Sequence, residues 1–293
     1  MNRFKQYYQL AKPGIIYGNL LTTIASFLYA SDWKINLGRL VATVFGTGLT
    51  IGAACVSNNV LDQRIDRTME RTRSRSLARG EIKVLAAVVY AAVLGVVGFS
   101  LLALFVNWLT VGVGLVGVFF YVVVYGLAKR RTKHGTLIGG VSGATPILAG
   151  YTAVTGRLDF TALLLFLILF FWQMPHFYAI GIYRRQDYAA AGLPIWPVKV
   201  SIASAIRWMV VYTVLFCLAV VLFSVVGKTG GIFLLLMLLG SAYWLWLGIK
   251  GLRPEVLSSD GIKWARGMFG YSLLTLMLLS ALLAVEPVLP RML

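Results

Sequence analysis

Nine apolar runs alternate with short polar segments along the 293 residues of the chain. They begin near Gly14, Arg39, Ile82, Trp108, Gly135, Phe160, Ser201, Gly230 and Trp264. Each is close to the ~20 residues that a helix needs to cross a bilayer core. Such runs are too long for barrel strands, and only structures that satisfy their own backbone hydrogen bonds cross lipid. The pattern predicts an all-α, polytopic membrane protein with nine transmembrane helices, forming one domain over residues 1–293. The helices are expected to form a bundle around a central cavity that opens at the cytoplasmic side.

Composition supports this reading. The chain is 59% hydrophobic and 13% charged, against ~25% charged in ordinary soluble domains. A net charge of +17 raises nucleic acid as a partner, but the distribution argues against it. Arg3, Lys5, Lys12, the cluster from Arg64 to Lys83, the Lys129–Lys133 group, Arg184, Arg185, Lys199, Arg207, Lys250, Arg253, Lys263 and Arg266 fall on one side. Only Lys34, Arg39, Arg157, Lys228 and Arg291 fall on the other. The positive-inside rule then puts the N-terminus in the cytoplasm and, with nine spans, the C-terminus outside. The basic excess is mainly a topology signal. The first run follows basic residues as a signal peptide would, but no small-residue cleavage site follows, so it is read as a retained helix. Cys55 and Cys217 lie inside apolar runs without metal-ligand spacing and read as small buried hydrophobes.

The polar segment after the second run carries the densest chemistry. Asn58, Asp62 and Asp66 stand four apart, which on a helix puts them on one face. Oxygen ligands in such a row suit a hard divalent cation, and Arg71 and Arg75 beyond them suit a phosphate. Tyr125 and Lys129 end the fourth run one turn apart. They read either as an interfacial tyrosine with a snorkelling lysine or as an aromatic face beside a phosphate-binding ammonium. The fifth run, with Gly139, Gly140, Gly143, Pro146 and Gly150, is expected to be thin and broken, as helices lining a cavity are. The sixth contains Trp172-Gln173-Met174-Pro175-His176, and an ionisable group at membrane depth is a functional candidate. Asp187 follows on the cytoplasmic side, whereas topology excludes Asp159. The last three runs show no chemistry. Together these residues describe a receptacle for a lipid diphosphate, with its tail in the bundle and Mg2+ and cations at its headgroup.

The pattern Asn58-x3-Asp62-x3-Asp66 with Met69-x-Arg71-Thr72-x2-Arg75 resembles the first signature of the intramembrane aromatic prenyltransferases, the UbiA-type superfamily. Tyr125-x3-Lys129 is similar to their Tyr-Lys pair, and Trp172–His176 with Asp187-Tyr188-x2-Ala191 resembles the heme o synthase branch. The resemblance runs over nearly the whole chain. It implies farnesyl transfer from farnesyl diphosphate to a vinyl group of heme b, with heme o passed toward a terminal oxidase or heme-handling proteins. It implies a bacterial inner membrane location. Catalysis would fall to Asp62, Asp66, Lys129 and Tyr125, with Mg2+ on Asp62, Asp66 and Asp187. The diphosphate would be taken by Arg71, Arg75 and Lys129 with Asn58 in support, and heme by His176, Trp172 and Gln173. Ser76 replaces a proline common in relatives, and Ala191 stands where a second Asp-x3-Asp often closes. Two alternatives remain open: a quinone-pathway prenyltransferase acting on a phenolic acid, and a carrier of heme or lipid diphosphates.

Overall fold

A computed structural model describes residues 2–227, 229–258 and 261–288; Lys228 and Arg291 lie outside the described residues. Among these residues every regular element is helical. After a short helix, Arg3–Leu10, the predicted runs become α1 (Pro13–Ser31), α2 (Leu37–Asp66), α3 (Val84–Phe105), α4 (Trp108–Arg131), α5 (Gly135–Thr155), α6 (Phe160–Tyr183), α7 (Ile202–Gly227), α8 (Gly231–Lys250) and α9 (Ile262–Val285). Among the described residues, eight helices, α2 to α9, are long and apolar enough to cross a membrane. The first run is not among those eight. It folds as a 19-residue helix, but Asn19, Thr22, Thr23 and Ser26 make it less apolar. Thr22 donates to the Asn19 carbonyl and Ser26 to that of Thr23 within the helix, while the Thr23 hydroxyl lies between the Asn19 carbonyl at 3.0 Å and the Pro146 carbonyl of α5 at 2.9 Å.

Neighbours in sequence pack side by side, and α9 returns against α1, so the bundle closes around a cavity. Small residues set the closest approaches. A Cβ at Gly98 of α3 would lie 2.9 Å from the Gly46 carbonyl oxygen of α2, so these two helices touch through backbone. A Cβ at Gly150 of α5 would run into the Thr23 carbonyl oxygen of α1. Backbone cannot yield as a side-chain tip does, which explains glycine at both places. A large apolar core of α6, α7, α8 and α9 residues, including Ile168, Phe216, Phe233 and Trp244, stands beside the cavity. By contrast, Leu85, Val96 and Leu104 of α3 are exposed, as lipid-facing side chains are.

Two irregularities shape the cavity. Helix α4 contains a π-helical turn at Phe120–Val124, a form that appears mostly as a single turn at functional sites. Helix α5 breaks after Gly143, and its second half starts at Thr145 with Pro146 in the first turn. The expectation of a thin, broken fifth run is met. The segment between α2 and α3 is a packed loop: Gln63 Nε2 donates to the Leu77 carbonyl at 2.9 Å, and Arg67 Nε donates to that of Ala78 at 2.9 Å. Arg67, read from sequence as a topology signal alone, is thus also a strut of the loop.

Candidate active site

Helix α2 continues unbroken through Asp66, so Asn58, Asp62 and Asp66 do climb one helix. All three line a single cavity of about 530 Å³ with Lys12, Arg71, Arg75, Tyr125, Lys129, Trp172, Gln173 and His176. That volume falls in the ~300–1,000 Å³ range of small-molecule sites. The lining comes from α1, α2, α3, α4, α5, α6, α9 and the loops at the basic end; α7 and α8 contribute no described residue.

Each carboxylate has cations of the chain on it. Lys129 Nζ donates to Asn58 Oδ1 at 2.7 Å and to Asp62 Oδ2 at 2.5 Å. Asn58 Nδ2 donates to the same Asp62 oxygen at 2.9 Å, and Arg130 Nη2 to Asp62 Oδ1 at 3.2 Å. Arg75 Nη1 reaches both Asp66 oxygens, at 2.9 and 2.7 Å, and Asn59 Oδ1 at 3.3 Å. These cations offset the mutual repulsion of carboxylates one turn apart. With Lys12 and Arg71 also on the wall, cations outnumber the two carboxylates, so the mouth attracts anions.

Arg71 donates to the Tyr188 hydroxyl at 3.2 Å and lies 5.3 Å from its ring centre, which joins the loop after α2 to the one after α6. Lys129 Nζ sits 5.1 Å from the Tyr125 ring centre, and Tyr121 stacks on Tyr125 at 5.7 Å. The tyrosine and lysine of α4 thus share one site with the aspartates instead of only one side of a membrane.

Asp187 behaves differently. It is half-buried on the helix Arg185–Ala190 and is not among the cavity-lining residues. Its Oδ2 is nevertheless buried without a hydrogen-bond partner. Among the described residues, no three His, Cys, Asp or Glu side chains converge closely enough to hold a metal ion by themselves. The available donors are the Asp62 and Asp66 carboxylates, the Asn58 amide oxygen and the orphaned Asp187 oxygen. An all-oxygen set of one or two close carboxylates fits Mg2+, which typically completes its shell with substrate phosphates and water.

On the α6 wall, His176 stacks on Trp172 at 4.8 Å and lies 4.9 Å from Phe269. Its Nδ1 is 2.7 Å from Ser272 Oγ, and that hydroxyl donates its one proton to the Phe269 carbonyl at 2.6 Å. Ser272 must therefore accept from Nδ1–H, which leaves the lone pair of a singly protonated ring on Nε2. Trp172 Nε1 donates to the Ser272 carbonyl at 2.9 Å. The amide of Gln173 is spent on the Gly140 and Leu169 carbonyls, where it holds the first half of α5.

Sequence reading gave no site role to Tyr121, Arg130, Ser272 or Tyr188, the last named only within the Asp187-Tyr188-x2-Ala191 pattern. Tyr121, Arg130 and Tyr188 had a local signal, being one turn from or adjacent to residues assigned to the site. Ser272 had none, and the reading of the last run as free of chemistry is corrected by its bond to His176.

The fold and this site define an intramembrane prenyltransferase. The chain matches the UbiA prenyltransferase family over residues 19–283 and belongs to it, which sets the carrier alternative aside. It is 42% identical over 288 residues to the protoheme IX farnesyltransferase of Citrobacter koseri, covering 98% of this chain and 96% of that one. It is 42% identical to protoheme IX farnesyltransferase 1 of a Shewanella species, covering 97% and 90%. A UbiA homologue from Archaeoglobus fulgidus bound to GPP and Mg2+ superposes with a TM-score of 0.68 at 15% identity, covering 92% of this chain and 99% of that one.

Proposed function

We propose that the protein transfers a farnesyl group from farnesyl diphosphate to a vinyl group of heme b, giving heme o for a terminal oxidase. Its place would be the bacterial inner membrane, with the basic end and the N-terminus in the cytoplasm. The observation that carries this reading is 42% identity, over nearly the full length of both chains, to a protoheme IX farnesyltransferase. The cavity supports it, since one space joins the cationic mouth to the His176 wall.

In this reading Asp62, Asp66 and Asp187 would hold Mg2+ together with substrate phosphates and water, with Asn58 in support. When bound, Mg2+ neutralises charge that develops on the departing diphosphate. Lys129, Arg71 and Arg75 bind the phosphate oxygens and stabilise the same charge. The allylic C–O bond breaks with its electron pair remaining on the diphosphate. The farnesyl cation then adds to the vinyl group, and water supplies the hydroxyl and releases a proton. Stacked Tyr121 and Tyr125 offer ring faces to the cation before it is captured. His176 is oriented by Ser272 so that Nε2 is the free nitrogen, the form in which an imidazole ligates iron.

The test is incubation of the purified protein with heme b, farnesyl diphosphate and Mg2+, followed by mass spectrometry of the heme. Conversion that stops on chelation of divalent cations is expected. Prenylation of a hydroxybenzoate with unmodified heme would instead select the quinone-pathway reading. For His176→Ala, heme affinity measured by absorbance titration falls at least roughly tenfold, the loss of ~1.4 kcal/mol, while farnesyl diphosphate binding is retained. Unchanged heme binding would reduce His176 to a packing residue.

A further inference from the structure

Lys12 is the one cation on the cavity wall whose side chain makes no hydrogen bond or ion pair with another described residue. Lys129, Arg75 and Arg71 are all engaged. Its backbone is also unusual. Lys12 has φ 57, ψ 65 as the N-cap of α1 and precedes Pro13. A left-handed conformation is rarely adopted by residues other than glycine, asparagine and aspartate. Glycine would relieve the strain, yet a long cationic side chain stands there. The turn is held from α2, since Asn59 Nδ2 donates to the Leu10 carbonyl at 2.8 Å while Asn59 Oδ1 accepts from Arg75. The same hydrogen-bonded chain thus ties the Lys12 turn to Asp66.

A second donor lies two residues on. The Gly14 N–H makes no backbone hydrogen bond, Gly14 lines the cavity, and nothing stands within 4 Å of where its Cβ would be. Space beside a free amide at a helix N-terminus admits an anion. We propose that Lys12 and the Gly14 N–H form a further diphosphate-binding arm on α1, completing from the first helix the cradle that α2 and α4 begin. This rests on the prenyl diphosphate reading above and adds α1 to it. Burial pushes the Lys12 ammonium down to about 8; Cys55 opposes the fall, the Arg75 charge adds to it, and the Asp62 and Asp66 charges offset it only in part. The group therefore has charge stabilisation still to gain from an incoming diphosphate.

The test is calorimetric titration of the full chain in detergent with inorganic diphosphate and Mg2+, and separately with heme b. Lys12→Met is expected to weaken inorganic diphosphate at least roughly tenfold, the scale of a lost charged hydrogen bond. Lys12→Arg keeps most of the affinity. Lys12→Gly loses as much as Lys12→Met but keeps or raises the thermal midpoint, because glycine accepts the backbone angles. Heme b affinity stays at the wild-type value in all three. Wild-type diphosphate affinity in Lys12→Met would overturn the proposal, and so would loss of heme b affinity with diphosphate unchanged, which would give Lys12 to the acceptor. A wild-type chain that binds no inorganic diphosphate would overturn the underlying functional reading as well.

Discussion

Asp62→Asn is expected to lower prenyl transfer by at least ~10²-fold, in line with the loss of one preorganised transition-state group, while heme b still binds. Asp62 is where three partners meet: Asn58 and Lys129 on Oδ2 and Arg130 on Oδ1. Asparagine keeps one oxygen and nearly the same shape but removes the charge. Lys129 and Arg130 then lose their counter-ion, and the proposed Mg2+ loses a carboxylate. The measurement is release of labelled diphosphate from farnesyl diphosphate, read beside a heme titration. Turnover within a few-fold of wild type would remove Asp62 from the chemistry. Parallel loss of turnover and heme binding would point to a damaged fold.

Arg75→Met should have the largest effect on stability. Asp66 is 5% exposed, and both its oxygens accept from Arg75. Removing the guanidinium leaves a buried carboxylate without its ion-pair partner; because the Arg75 side chain is itself 31% exposed, the cost falls below the ~3–5 kcal/mol of fully buried pairs. It also frees Asn59, which anchors the Leu10 carbonyl. The thermal midpoint in detergent should fall by several degrees. Adding Asp66→Asn should recover much of that loss, because a neutral amide tolerates burial better than an unpaired charge. The double variant should remain inactive. A midpoint that does not move in Arg75→Met would mean that Asp66 is neutralised by other means.

What the sequence made legible was local. Asn58, Asp62 and Asp66 could be placed on one face because their spacing matches the helical repeat, and α2 does run through all three. The break in α5 was foreseeable from Gly143 and Pro146, because glycine weakens a helix interior and proline lacks the N–H that would continue it. Lys129 could be assigned only to the same membrane side as Asp62, since a charge rule carries topology and no distance. Contacts between distant segments were not legible. The bond between His176 and Ser272 crosses 96 positions, and no periodicity marks a serine in an apolar helix as the partner of a histidine. Tyr188 meets Arg71 across 117 positions. The first apolar run shows the limit of counting by pattern: its threonines and Ser26 find carbonyls on α1 and, for Thr23, also that of Pro146 on α5, so the helix forms although it is less apolar than the other eight.

The π-turn in α4 has a consequence for engineering. Such a turn amounts to an α-helix with one residue inserted, so everything beyond it is rotated by about 100° against the uninterrupted phase. Phe120–Val124 lies between the mid-membrane part of α4 and the turn that ends in Lys129. Deleting a single residue there would restore regular helix geometry and would look like an improvement by propensity alone. It would also swing Lys129 and Arg130 away from Asp62. The two ends of α4 are out of phase with each other, and only in that phase can one end meet lipid and α5 while the other meets a carboxylate.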